Sequence, residues 1–269
     1  MRRLLRRSCF IAAPVLAMGA LSLSPVAAAA ANGGSSTCQV GSVAAGTYSN
    51  LNIAGFCAID SGNVTVLHNL TVLPNGGLNA AFGGSDLHVH GNLDVQNNGI
   101  LVLGCEPSAF PCFNDDPNNP TMSTSDTVGG NLGANGALMM LVHNNQIGGN
   151  VTQSGGGGGV TCATQPLGPN GPPAYSTYED NAIGKNASIT EVQTCWMGFI
   201  RNNVSGNVNY QNNVTADDDG NEVVTNTVAR NLNCSGNSPA PQFGDSGGIP
   251  NTVSGHANGQ CAGPLSGGG

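Results

Sequence analysis

Apolar residues along this chain keep step with an asparagine that returns about every twenty residues. The repeat reads Asn/Asp-x-(Val/Ile)-x-(Gly/Lys/Arg)-Asn-(Val/Leu/Ala)-x-apolar, clearest in Asn145–Gln153, Asn181–Ile189, Asn202–Tyr210 and Asn226–Cys234. Anchoring on its second asparagine marks Asn50, Asn69, Asn92, Asn131, Asn150, Asn186, Asn207 and Asn231, with His256 in the anchor place of a degenerate ninth copy. Self-similarity at this spacing is the signature of a stacked repeat, because no single copy can bury its own apolar face. Two anchor gaps are long, 39 and 36 residues, and they contain the irregular stretches 104–121 and 154–180. Read as loops inserted between rungs, they leave the repeat continuous.

Within a copy, apolar residues fall three before, one after and three after the anchor, as in Val66/Leu70/Val72, Val89/Leu93/Val95 and Val204/Val208/Tyr210. Alternation with period two predicts a strand with one buried face. The intervening positions, Thr65, His88, Thr127, Asn203 and Thr227 before the anchor and Thr71, Asp94, Thr152, Ser188 and Asn209 after it, then point outward. Asn75-Gly76, Asn98-Gly99 and Asn135-Gly136 are turn signals that supply positive φ at a corner. Strand and corner alternating in this way predict an all-β, single-stranded parallel β-helix of 8–9 rungs with 19–25 residues each. At ~4.8 Å per rung the rod is about 40 Å long. The anchor asparagines should stack as a ladder of side-chain amides at the bend. A period longer than that of hexapeptide repeats points to a right-handed coil.

Residues 1–31 read as a secretory signal: Arg2, Arg3, Arg6 and Arg7 precede an apolar run from Ile11 to Leu23, then small residues offering cleavage near Ala28–Ala31. The solenoid then occupies 32–269, ending in a glycine-rich tail over 263–269. No later stretch approaches the roughly 18 apolar residues of a membrane helix, so an integral membrane protein is not expected. Removing the signal leaves Lys185, Arg201 and Arg230 against all fifteen Asp and Glu, a net charge of −12. Such a surface excludes nucleic acid as a partner, since binding it needs clustered Lys and Arg.

Eight cysteines remain after export: Cys38, Cys57, Cys105, Cys112, Cys162, Cys195, Cys234 and Cys261. An even count and no Cys-x-x-Cys argue for disulfides over metal ligation. About 105 connectivities are open to eight cysteines. Sequence neighbours are the expected partners, because rungs adjacent in sequence are adjacent in space.

The repeat resembles that of the right-handed parallel β-helix (pectin-lyase-like) proteins, whose best-known members act on polysaccharides. Three strings, 104–114, 148–162 and 235–244, resemble a group of secreted actinobacterial proteins. The likeness covers the whole mature chain and brings no catalytic residues with it.

Candidate chemistry is sparse. Gly244-Asp245-Ser246-Gly247-Gly248 copies the string around a chymotrypsin-like nucleophile, but no histidine has the matching context and the fold lacks the two barrels that mechanism needs. A glycine-rich turn is the better reading. His88 and His90 share one outward face with Asp86 and Asp94 near in sequence, which suits a metal or acid–base patch or, equally, an ordinary solvated face. Asp217, Asp219 and Glu222 in a tight acidic stretch are calcium candidates, calcium being the one cofactor considered, although the spacing is not that of an EF-hand. Phe110 and Phe113 with Glu106, Asp115 and Asp116 in the first loop, and Tyr175 and Tyr178 with Glu179 and Asp180 in the second, Trp196 lying a little beyond, pair rings with carboxylates as a sugar subsite would. The same rings could simply cap exposed rung edges. Seven Asn-x-Ser/Thr sequons follow automatically from corner Asn and outward Ser or Thr.

The chain is therefore expected to be a secreted, non-catalytic solenoid, an extracellular or cell-envelope structural or adhesive module contacting glycan, envelope components or its own copies. The alternative is a carbohydrate-active β-helix enzyme, a glycoside hydrolase or lyase, using Asp86, Asp94, Asp115 or Asp116 on a neutral polysaccharide.

Overall fold

The computed structural model describes residues 35–169 and 171–266; the expected signal peptide and the last three glycines lie outside them. Three all-parallel sheets form the walls of a solenoid. The first has ten strands, from Ser35–Cys38 to Ala257–Gly259; the second has eight, from Gly41–Ser42 to Glu222–Val224; the third has nine, from Gly46–Tyr48 to Thr252–Val253. The chain visits first, second and third sheet in turn and then rises one rung, as the period-two pattern and corner residues require. The protein is a parallel β-helix. The first sheet has one strand more than the nine anchor positions, because Ser35, in register with Asn50, holds the anchor place without an amide to reveal it.

The residue after each anchor points inward. Leu51, Leu70, Leu93, Leu132, Val151, Ala187, Val208 and Leu232 stack in register on the first sheet, all but fully buried. Each Leu or Val so buried contributes on the order of 1.5–3 kcal/mol. Their outward neighbours are exposed at Asp94 and Thr152 and half-buried at Asn52, Thr71, Gly133, Ser188, Asn209 and Asn233.

The anchor ladder is present at the corner between third and first sheets. The backbone N–H of Asn69, Asn92, Asn131, Asn150, Asn186, Asn207, Asn231 and His256 each donates to the Oδ1 of the anchor one rung earlier, at 2.8–3.2 Å. A second ladder, buried, occupies the corner between second and third sheets. Here the N–H groups of Asp126, Asn145, Asn181, Asn202 and Asn226 donate to the Oδ1 of Asn145, Asn181, Asn202, Asn226 and Asn251 one rung later, at 2.9–3.1 Å. Each of these five asparagines also donates Nδ2 to a backbone carbonyl, of Leu103, Val142, Tyr178, Phe199 and Val223 in turn, at 2.7–2.9 Å. In earlier rungs the same inward column is filled by Val64 and Leu87. A shorter third ladder, Val192 N to Asn213, Asn213 N to Asn237 and Asn237 N to Gln260, completes the remaining corner in the last rungs. Positive φ falls where the turn signals place it, at Asn75, Asn98 and Gly136.

The four disulfides pair sequence neighbours: Cys38–Cys57, Cys105–Cys112, Cys162–Cys195 and Cys234–Cys261. The first and last lie within the main core near the two ends of the rod. The middle two clip the inserted segments. Four disulfides fit an extracellular protein. No helix among the described residues is long and apolar enough to cross a membrane.

The second sheet differs from the others in that its strands from Gly77–Ala80 onward are buried on both faces. Segments 104–126 and 155–175 cover its outer side, packing Phe110, Leu167 and Tyr175 onto Ala81, Ile100, Val102, Met139 and Leu141. The interval expected to be loop up to residue 180 therefore ends earlier, in the central strand Ser176–Glu179. A strand covered on both sides need not alternate, so Ser-Thr-Tyr-Glu carries no strand signature. The glycine-rich tail docks in part. Gly263–Leu265 forms a short 3-10 turn, and Leu265 packs on Ile200 and Val224.

Candidate functional site

The residues singled out by sequence lie on different faces of the prism. His88 is on the outer side of the third sheet, where its Nδ1 shares a hydrogen bond with the Thr127 hydroxyl at 2.9 Å. Asp94 is on the outer side of the first sheet, and the segment bearing Asp115 and Asp116 lies over the second. No groove brings them together. Asp115 accepts backbone N–H groups from Thr121 and Met122 at 2.6 Å and from Asp116 at 2.8 Å, and these bonds, Met122 first, hold its carboxyl below the usual range. Asp116 likewise accepts from Asn118 N at 2.9 Å. Both are turn organisers.

The ring candidates divide. Tyr178 points into the core, 1% exposed, with its hydroxyl donating to Gln153 Oε1 at 3.0 Å, so it cannot meet a ligand. Tyr175 and Trp196, 6.3 Å apart edge to face, are partly buried where segments pack on the second sheet. Phe113 is about half exposed but leans on Phe82 and Phe110. Phe110 lies flat on His143 at 4.4 Å. These rings bind cover to wall.

The calcium candidates separate as well. Asp217 and Asp219 share a turn, and the hydrogen-bond contact with Asp217, then burial, pushes Asp219 up to about 6. Glu222 instead stands on the fully buried last strand of the second sheet, Glu222–Val224, beneath Gly244–Ser246, and neither carboxyl oxygen has a partner in hydrogen-bond geometry. Burial pushes it to about 7, and the nearby Ser246 offsets that only in part. Among the described residues no three His, Cys, Asp or Glu side chains converge to hold a metal ion. The Gly244–Gly248 string is thus a cover over Glu222, with glycine required because a Cβ at Gly244 would meet the Glu222 carboxyl.

One cluster does assemble ionisable groups, and it joins carboxylates from the two stretches read as inserted loops, Glu106 with Glu179 and Asp180, to Arg201 and His143. Register puts Asp180 and Arg201 in adjacent rungs at one corner, each with positive φ and each just before a buried ladder asparagine. Arg201 Nε donates to Asp180 Oδ1 at 2.8 Å, and Nη2 donates to Asp180 Oδ2 and to Glu179 Oε2, both at 2.7 Å. From the covering segment Glu106 reaches the Asp180 carboxyl, accepts from the Ser108 hydroxyl at 3.2 Å, and keeps a buried Oε1 without a donor. His143 completes the group, its Nε2 sharing a hydrogen bond with Thr177 Oγ1 at 2.8 Å while Nδ1 is buried and unpaired.

Burial dominates the electrostatics. It pushes Glu106 to about 7, helped by contact with Asp180, and pushes Glu179 to about 7 against the pull of Arg201. Burial also acts to raise Asp180, but the hydrogen bonds from Arg201 and Glu106 outweigh it and hold that carboxyl below its ordinary value. Burial drives His143 down to about 3, so the imidazole is neutral. Glu179 has a cation 2.7 Å away, whereas Glu106 has none of its own, so Glu106 is the group that keeps a proton near neutral pH. The signal for this cluster was legible: counting six residues back from the anchors 186 and 207 lands on Asp180 and Arg201.

The open surface of the third sheet is shallow. A hollow of about 440 Å³ is lined by His90, Thr127, Gln146, Gly148, Ala182 and Asn203. A second, of about 340 Å³, shares Gly184 and Ser205 with it and carries Lys185 and Arg230. Neither contains a carboxylate. A scan against protein-family models, a search of curated proteins and a search of solved structures return no match for this chain.

Proposed function

We propose that this protein is a non-catalytic β-solenoid serving outside the cell as a structural or adhesive module, with glycan, envelope components or further copies of itself as partners. The observation that carries the reading is the use made of its densest ionisable cluster. Glu106, Asp180, Glu179 and Arg201 are spent on one another, joining a covering segment to the wall. Glycoside hydrolysis needs two carboxyls roughly 5–9 Å apart with sugar or water between them. Carboxyls in contact leave no such room. The four disulfides and the likeness of three loop strings to secreted actinobacterial proteins support the extracellular setting. The shallow third-sheet trough, floored by small side chains, is the surface offered to partners.

The test is a panel of neutral and acidic polysaccharides assayed for reducing ends and unsaturated products, with pull-down by the insoluble glycans in parallel. Retention without turnover, lost in Asn203→Trp at unchanged melting temperature, is the expected result. Turnover that disappears in Asp115→Ala or Asp116→Ala overturns the reading in favour of an enzyme.

A further inference from the structure

Segment 104–126 is held on the second sheet by two kinds of contact. Its base is redundant: Asn114 exchanges hydrogen bonds with Gly83 at 2.8 and 2.9 Å, the Thr124 hydroxyl lies 2.7 Å from the Asp86 carboxyl and 2.9 Å from the Ser85 carbonyl, and the buried Asp126 carboxyl, which burial pushes up to about 8, accepts the N–H groups of Leu87 at 2.7 Å and Gly104 at 3.0 Å. Its tip is different. The Cys105–Cys112 disulfide and the paired backbone bonds between Glu106 and Phe110, at 2.8 and 3.1 Å, present those two side chains together to the wall. Phe110 covers His143, and Glu106 meets Asp180.

The groups facing Glu106 are Asp180 and Glu179 from the end of strand Ser176–Glu179, Arg201 after Met197–Ile200, and His143 at the end of Met139–His143. Arg201 already donates to Asp180 and Glu179, and His143 is neutral. On its own segment Ser108 donates to Glu106, while Asp115 and Asp116 are turned to backbone N–H groups of their own loop. Two carboxyls can touch in a partly buried site only while one of them carries a proton. A deprotonated Glu106 would oppose Asp180 with one oxygen buried and no donor for it.

We propose that the Glu106–Asp180 contact is a proton-dependent latch: the tip of the covering segment is seated while Glu106 is protonated and lifts when that proton is lost, uncovering His143 and Arg201. The sign follows from linkage. A carboxyl held near 7 in the seated state and at its ordinary 4.5 when released favours seating most strongly below pH 4.5. The preference declines as pH rises and is gone above about 7. Cys105–Cys112 and the several hydrogen bonds of the base confine the motion to the tip, so the rod persists.

Hydrogen exchange tests this on the intact protein. The amide of Phe113, which donates to the Ala81 carbonyl of the wall at 3.0 Å, should lose protection about tenfold or more between pH 5 and pH 8 once corrected for its intrinsic rate, while core-strand amides do not. Glu106→Gln, whose amide donates to Asp180 at any pH, should stay protected at both. Glu179→Gln should retain the wild-type pH dependence. The Glu106 side-chain carbon shift should titrate near 7. Protection that does not change with pH in the wild type, pH dependence that survives in Glu106→Gln, or a Glu106 midpoint near 4.5 overturns the latch.

Discussion

Two asparagine ladders climb this rod with the same bond, a backbone N–H onto a side-chain carbonyl of a neighbouring rung, and they differ in where they stand. The anchor ladder from Asn50 to Asn231 sits at a corner open to water. The ladder from Asp126 to Asn251 is inside, with Asn145, Asn181, Asn202, Asn226 and Asn251 at most 1% exposed. Water replaces a lost bond in the first case and cannot in the second. A buried amide that loses its partner costs the full desolvation of the group, about 1–3 kcal/mol each. The inner ladder is therefore an obligation and the outer one an accessory. It answers that obligation completely, since every inner asparagine donates to a backbone carbonyl and accepts a backbone N–H.

Breaking the inner ladder should have the largest effect. Asn202→Ala orphans the Asn181 N–H and the Tyr178 carbonyl, and a loss of about 3–6 kcal/mol is expected in denaturant unfolding. Next comes Arg201→Ala, which strips Glu179 and Asp180 of the one cation that pairs with them among the described residues. Discounted for the partial exposure of the guanidinium, the loss is about 1–3 kcal/mol. It should be larger at pH 8 than at pH 5, where Glu179, held near 7, is mostly protonated. Glu222→Gln tests a buried polar group that no ladder satisfies. Because burial holds this carboxyl near 7, its ionisation works against folding above that pH. The variant should melt higher than wild type at pH 8, with the difference shrinking at pH 5; equal melting temperatures at both would remove the argument. The smallest change belongs to the outer ladder: Asn186→Ala should cost under about 1 kcal/mol. If Asn186→Ala and Asn202→Ala proved equally costly, the distinction between the ladders would fail.

The outer ladder was legible in the sequence because its asparagine precedes an alternating strand whose apolar residues identify it. The inner ladder was written in the same repeat, as its first asparagine. It was passed over because a polar residue at an inward position contradicts the alternation rule, and only a neighbour in the next rung makes it acceptable. The second sheet hid for a related reason: Ser176–Glu179 is polar in composition yet buried on both faces. Asp115 and Asp116 are exposed acids bound to their own loop, whereas Glu106 and Glu179 acquire unusual chemistry chiefly from burial, with the neighbouring Asp180 adding to it.

By itself the sequence determined the period, the parallel coil, the disulfide partners and the outer ladder, because each depends on spacing along the chain or between successive rungs. Only the tertiary structure decided which face is covered, which polar groups are inside and which carboxyls touch. Those depend on segments returning across several rungs to lie over one wall, a contact that no local periodicity encodes.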